Sequence, residues 1–529
     1  MKFQDRLKRE SRSDLWKEYC GFLELSIDDY MYIQNRLMEE QMRKWSASGL
    51  GRKFLGGKTP QTVDEFREAV PLTTYADYAD VLLIRQEDML PEKPSIWIQT
   101  TWEGGIRPIK LAPYTRDMLN KYRHHTVTTT MLASCRGKGH FSLNKGDRVL
   151  YGGAPLPYIT GLIPEILEED ISLQWLPDTN SHSSLSFSGR IKQGFSMAMN
   201  GGVDFFFAIG SVANYITDNF SAVSGKKGGS KRSVSPGIAL RYLKARYICS
   251  RDGRPMYPGD IFDLKGFVIT GTDGKCYREK LAKTWGVEPI EIASGTEATF
   301  LAAESWEHNG MVFFPDSCFY EFIDEEEMRR NLADKTYVPR TCLMNEVLPN
   351  RTYELVLSVF HGGAFMRYRI GDQYLCLSAG SKTSPPRFTY VDRVPSVIDI
   401  AGFTRITEDS IKEVIRLSKL GIGDWIAKKE FGENGHPFLH MYVEILPEAQ
   451  LADAIAVQVL TEHLAAYFKY FDSDYSDLKK LLNMEPLQIT ILRHGSIADY
   501  RAATGRHIPA VNPDRQDITD ILRWQRNHR

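Results

Sequence analysis

The chain of 529 residues lacks any appreciable net charge, −1 with its histidines neutral. That excludes a global attraction to nucleic acid or to acidic membrane surfaces. It also lacks a Cys-x-x-Cys pair, and its seven cysteines are an odd number, which argues against a disulfide framework and against a zinc site. The opening stretch MKFQDRLKRESRSDLWKEYC is charged throughout and has no apolar signal-peptide core. Long apolar runs are missing as well. The most apolar stretch, VDFFFAIGSVANYI (203–216), is too short and too polar to span a bilayer and reads as a buried helix. These absences predict a cytoplasmic protein with neither a nucleic-acid nor a membrane partner. There is no internal repeat. The one biased tract, at 224–234 (SGKKGGSKRS and the valine after it), reads as a solvated basic loop.

What is present is ordinary globular composition, 42% hydrophobic and 25% charged, in a length that suits two or three domains. Residues 12–50 carry apolar positions at helical spacing (Leu15, Phe22, Leu23, Met31, Ile33, Leu37) and predict opening helices. From about 94 to 390, RVLYGGAP (148–155), VDFFFAIGS (203–211), KGFVITGT (265–272) and PIEIASGTE (289–297) read as buried strands or segments ending in Gly, Ser or Pro. Repeated strand–loop–helix units predict an α/β domain with a mostly parallel sheet, in which polar loops after the strands bind ligands. After residue 391 the texture changes to helical segments (409–420, 449–470) alternating with HPFLHMYVEIL and LQITILRHG. The expected organisation is a large N-terminal α/β domain over 1–391 and a small α+β domain over 392–529, joined at VDRVPS.

Four loops share a polar character. IQTTWEGGIRPIKLAP (98–113) places Thr100, Thr101, Gly104, Gly105 and Lys110 after the apolar run SIWI, the mixture that cradles phosphate, although the same residues also suit a surface turn. ASGTEATF (293–300) sets Ser294, Gly295, Thr296 and Glu297 after PIEI. MRYRIGDQYLCL (366–377) has two arginines before Gly371 and Asp372, and RHIPAVNP (506–513) lies near the end. Each has a plain reading: Glu297 caps a helix, Asp372 closes a turn, the arginines are solvated.

Taken in order, these motifs resemble the acyl-adenylate-forming superfamily that includes firefly luciferase. Within it, WKEYCGFLELSIDDYMYIQ (16–34), MVFFPDSCFYEFIDEEE (311–327), YELVLSVFHGGAFMRYRIGD (353–372) and VIDIAGFTRITEDSIKEVI (397–415) are similar to the plant auxin-responsive (Gretchen Hagen 3) acyl acid–amido synthetases and their bacterial relatives. The resemblance implies a luciferase-like fold and a two-step reaction: a carboxylic acid attacks the α-phosphorus of ATP, and an amine or amino acid then displaces AMP. It implies that Thr100, Thr101, Gly104, Gly105 and Lys110 surround the triphosphate, with Ser294, Gly295 and Thr296 also on the nucleotide. Glu297 would hold Mg²⁺, Asp372 the ribose hydroxyls, and Arg393 would lie near the hinge and the ribose. These segments would converge on a cleft between domains, with the small domain rotating between half-reactions.

The sequence departs from the family at two places. Trp102 and Glu103 stand where the phosphate loop carries Ser-Gly, and the family's Lys-x-Pro aligns with His507-Ile508-Pro509, leaving Arg506 or His507 as the cation. Arg506, permanently charged, is the nearer replacement for lysine. Thioester formation with coenzyme A shares the first step, and a non-catalytic binding or scaffold protein of the same fold is the reading from a different class.

Overall fold

A computed structural model describes residues 1–101, 109–178, 187–220, 235–402, 404–432, 435–449, 452–471, 486–506 and 508–527. The chain divides into two compact units, residues 1–100 with 110–392, and residues 101–109 with 393–529. Among the described residues no helix is long and apolar enough to cross a membrane.

The larger unit begins with helices α1 (Arg12–Cys20) and α2 (Ile27–Ser46). In α2 the Ser26 side chain caps Asp29 N–H, acids occupy the first turn and Arg43 and Lys44 the last, so cap and macrodipole agree. Two buried glutamines, one heptad apart, then read the backbone beneath the helix. Gln34 Nε2 donates to the carbonyls of Pro315 (2.5 Å) and Cys318 (2.7 Å), and its Oε1 accepts from Tyr320 N–H. Gln41 Nε2 donates to Gly363 O (3.0 Å) and its Oε1 accepts from Gly362 N–H (2.8 Å).

Strands β1 (Ile96–Thr101) and β2 (Ile109–Tyr114) pair with each other. Helix α3 (Arg116–Ala133) follows. The main sheet has twelve strands: β3 (Arg148–Gly152), β4 (Gln174–Leu176), β5 (Phe205–Ile209), β6 (Gly266–Thr270), β7 (Ile290–Gly295), β8 (Thr299–Glu304), β9 (Met311–Phe313), β10 (Cys318–Asp324), β11 (Cys342–Leu343), β12 (Thr352–Val359), β13 (Tyr368–Ser378) and β14 (Arg387–Arg393). Their spatial order is β11-β10-β12-β13-β14-β9-β8-β7-β6-β5-β3-β4. Helices α4 (Phe187–Gly201), α5 (Gly210–Asp218) and α6 (Gly274–Trp285) belong to the crossovers of its parallel part.

The sheet is mixed, which corrects the expectation of a mostly parallel one. β4, β3, β5, β6 and β7 run parallel, whereas β7–β8, β8–β9, β9–β14, β12–β13, β10–β12 and β10–β11 are antiparallel. The cause lies in the connections: a parallel crossover needs a dozen or more residues, and the links β7–β8 and β8–β9 are too short for one.

The stretch 203–216 is also corrected, because it is not one helix. Its phenylalanines form β5, fully buried between β3 and β6, and the helix α5 starts only at Gly210. Three consecutive phenylalanines fill both faces of an interior parallel strand, a demand a helix does not make. Phe206 stacks on Phe267 at 4.7 Å and packs on Trp285 of α6 at 4.7 Å. At Gly210 an added Cβ would stand 3.2 Å from Gly274 Cα, so α5 and α6 approach backbone to backbone.

In the smaller unit, β15 (Val397–Ile400) and β16 (Thr404–Thr407) pair antiparallel and lead into α7 (Glu408–Ser418). β17 (Ile422–Phe431), β18 (Pro437–Ile445) and β19 (Leu487–Leu492) form a three-stranded sheet, antiparallel then parallel. Strand alternation sorts its residues into two cores. Ala427, Leu439, Met441 and Val443 meet Ile411 and Val414 of α7 and Leu460 and Leu464 of α8 (Asp453–Phe471). Ile426, Tyr442 and Leu492 meet Ile497 and Tyr500 of α9 (Ser496–Thr504) and Ile518 and Ile521 of α10 (Arg515–Asn527). The segment around Val511 lies along β17, bonded through Ala427 N–H to Ala510 O and Asn512 N–H to Ala427 O.

Candidate active site

The site in the larger unit grows from the β7–β8 hairpin. Its register shifts between Ala293 and Ser294, Ala298 N–H closes the turn onto Gly295 O at 3.0 Å, and Thr299 takes a left-handed φ of 68°. A Cβ on Gly295 would fall 2.6 Å from Ile370 Cδ1, so a larger residue here would have to displace the tip of that side chain on β13. The turn therefore presents Glu297 inward, 5% exposed, instead of capping a helix.

Three buried side chains meet there. Tyr368 O–H donates to Glu297 Oε1 at 2.7 Å, and Lys110 Nζ stands 3.4 Å from both Glu297 Oε1 and the Tyr368 hydroxyl. Lys110 comes from β2 and lies 5.8 Å from the centroid of the Tyr75 ring. Tyr114, at the other end of β2, donates its hydroxyl to Thr296 O at 2.7 Å and so ties strand to turn. Burial pushes the Tyr75 phenol up to about 12 and that of Tyr114 well above its ordinary value. Both stay neutral beside Lys110 and Glu297.

The flanking arginines are structural. Arg367, at φ 45°, grips Glu321 through Nε and Nη2, both at 3.0 Å, and donates from Nη1 to Val70 O at 2.8 Å. Burial pushes Glu321 up, but Arg367 and Arg67 outweigh it and hold the carboxyl below its ordinary value. Arg369 forks onto Glu354 at 2.7 Å twice. Neither is a solvated strand residue. Asp372 follows Gly371, whose φ is 81°, and is 6% exposed on β13.

Of the residues singled out by sequence, the structure brings Lys110 and Glu297 into contact, with Gly295 and Thr296 in the same turn and Ser294 beside it. Thr100 lies on β1, the partner strand of β2, and Thr101 ends that strand. Arg393 ends β14. In the smaller unit Arg506 Nη1 is 3.0 Å from Asp517 Oδ1. Trp102, Glu103, Gly104, Gly105 and His507 lie outside the described residues. Among the described residues no group of three or more His, Cys, Asp or Glu side chains could hold a metal ion. Tyr368 was missed by sequence reasoning. The signal was strand alternation: with Arg369 on one face of β13, Tyr368 takes the other.

Residues 311–393 match the GH3 family central domain. No curated protein matches the chain in sequence. Among solved structures, the chain is similar to AtGH3.15 acyl acid amido synthetase in complex with 2,4-DB, at TM-score 0.54 and 16% identity over 97% of this chain and 95% of that one. It is likewise similar to 2-hydroxyisobutyryl-CoA ligase in complex with 2-HIB-AMP and CoA in the thioesterification state, at TM-score 0.56 and 15% identity over 94% and 92%. At such identities the likeness is one of fold. The match to the GH3 family central domain is carried by residues 311–393, and over the rest of the chain the likeness to these enzymes is one of fold.

Proposed function

We propose that this protein is an ATP-dependent ligase that activates a small carboxylic acid as its acyl-adenylate and passes the acyl group to an amine or amino acid. The observation that carries the reading is the buried Lys110–Glu297–Tyr368 cluster on the hairpin after β7. Adenylation concentrates negative charge on a transferring phosphoryl group, and a preset cation with oriented hydroxyl donors is what lowers that barrier. Lys110 is the catalytic cation in this reading. Glu297 and Tyr368 position it, and Thr100, Thr101, Gly104, Gly105, Ser294, Gly295 and Thr296 contact the nucleotide. Asp372 accepts from the ribose hydroxyls, Arg393 lies near them, and Arg506 or His507 supplies the cation of the smaller unit. Glu297 would be the residue to hold Mg²⁺, which would neutralise phosphate charge.

The test is a pyrophosphate-release screen over aryl, indole and fatty acids, followed by AMP release with amino acids or with coenzyme A. Acid-dependent pyrophosphate release with amino-acid-stimulated AMP release is expected. Stimulation by coenzyme A alone replaces the acceptor. If no acid releases pyrophosphate and Mg·ATP leaves the melting temperature unchanged, the protein is a binding or scaffold protein of this fold.

A further inference from the structure

Away from that cluster, a second group of buried polar atoms faces no protein partner. Arg190, on α4, is 4% exposed, and its Nε and Nη1 have no hydrogen-bond acceptor. One turn on, Gln193 Oε1 is buried without a donor, and on β4 the indole Nε1 of Trp175 is buried without an acceptor. Residues 190, 193 and 194 share one face of the helix. That face lies on the end of β4, since a Cβ on Gly194 would stand 2.6 Å from Leu176 O. Tyr151 of β3 joins the group, its ring 5.3 Å from that of Trp175. The cluster thus sits at the carboxyl ends of two parallel strands, where open α/β sheets bind ligands.

A buried guanidinium without an anion is costly, and burial indeed lowers the pKa of Arg190. The titratable group coupled to it is Tyr151, which burial keeps a neutral phenol. No acidic side chain pairs with Arg190 among the described residues.

We infer that Arg190 binds the carboxylate of an organic acid whose body packs against the Tyr151–Trp175 ring pair. Trp175 N–H donates to the same carboxylate or to a neighbouring oxygen, and Gln193 Oε1 accepts from an N–H or O–H of the ligand. Two sources share this chemistry, the acid to be activated and the carboxylate of an amino-acid acceptor, and assigning either role rests on the ligase reading, whereas binding does not.

Titration calorimetry and thermal shift without ATP separate these cases. Wild type should bind benzoate but not benzamide if the site takes the acid, and phenylalanine but not phenethylamine if it takes the acceptor. In Arg190→Met and Arg190→Gln the affinity for that carboxylate should fall on the order of 30-fold or more. The melting temperature of the free Arg190→Met variant should hold or rise, because an unpaired buried charge is removed. Either variant binding with unchanged affinity, or wild type binding the neutral analogues equally well or neither carboxylate, overturns the assignment. Failure here with pyrophosphate release intact leaves the ligase reading standing.

Discussion

Lys110 and Glu297 are 7% and 5% exposed, so removing either takes an oppositely charged neighbour from a buried partner. Lys110→Ala should cost about 3–5 kcal/mol by urea denaturation, and the double variant Lys110→Met with Glu297→Gln should cost less than that single one. Pyrophosphate release should be lost in both. His124 gives a second prediction. It stacks on Tyr19 at 4.3 Å, and burial, then His125, lowers its pKa to about 4 against the opposing pull of Asp316 and Glu18. A histidine kept neutral in the fold but protonated near 6.5 when unfolded stabilises fully above pH 6.5, and that stability drains as pH falls towards 4. The expected loss between pH 7 and pH 5 is about 1–2 kcal/mol, and His124→Phe, which keeps a ring on Tyr19, should flatten that limb of the stability profile. At this scale the sequence showed which residue types cluster near phosphate-like loops. It did not show that Arg367 and Arg369 spend their charge on Glu321 and Glu354, because ion-pair partners distant in sequence leave no local signal.

Among the elements, α2 is fixed by hydrogen bonds as much as by apolar contact. Gln34→Leu removes the partners of two carbonyls and one N–H beneath the helix, and Gln41→Leu those of one carbonyl and one N–H. At about 1–3 kcal/mol for each buried group left unsatisfied, Gln34→Leu should be the more damaging by denaturant midpoint, although both retain helix propensity and volume. Equal effects would mean the contacts are not what anchors the helix. Helical spacing over 12–50 was legible in sequence, and so were the strands at 148, 205, 266 and 290. The antiparallel strands β8 to β14 were not. The residues of β8, β9, β10 and β12 are buried on both sides and lack the alternation that marks a half-exposed strand, so their direction follows from loop length, which periodicity does not report.

For the whole molecule, the smaller unit has two cores of its own, one on each face of β17–β19. The fragment 393–529 is therefore expected to fold alone with a cooperative thermal transition followed by circular dichroism. A gradual, featureless melt would show that it needs the rest of the chain. The mixed sheet of the larger unit carries a consequence for the order of its assembly. Leu357 meets Tyr368 across a short link, whereas Val149 meets Phe205 only after the chain closes a loop about five times longer, which costs about 1.4 kcal/mol more in chain entropy. Strands β12 and β13 should gain amide protection early in pulse-labelled refolding, and β3 and β5 late. The β12–β13 pair would then be the nucleus onto which β3 and β5 are later laid, so substitutions in that pair would slow folding while those in β3 and β5 would chiefly hasten unfolding.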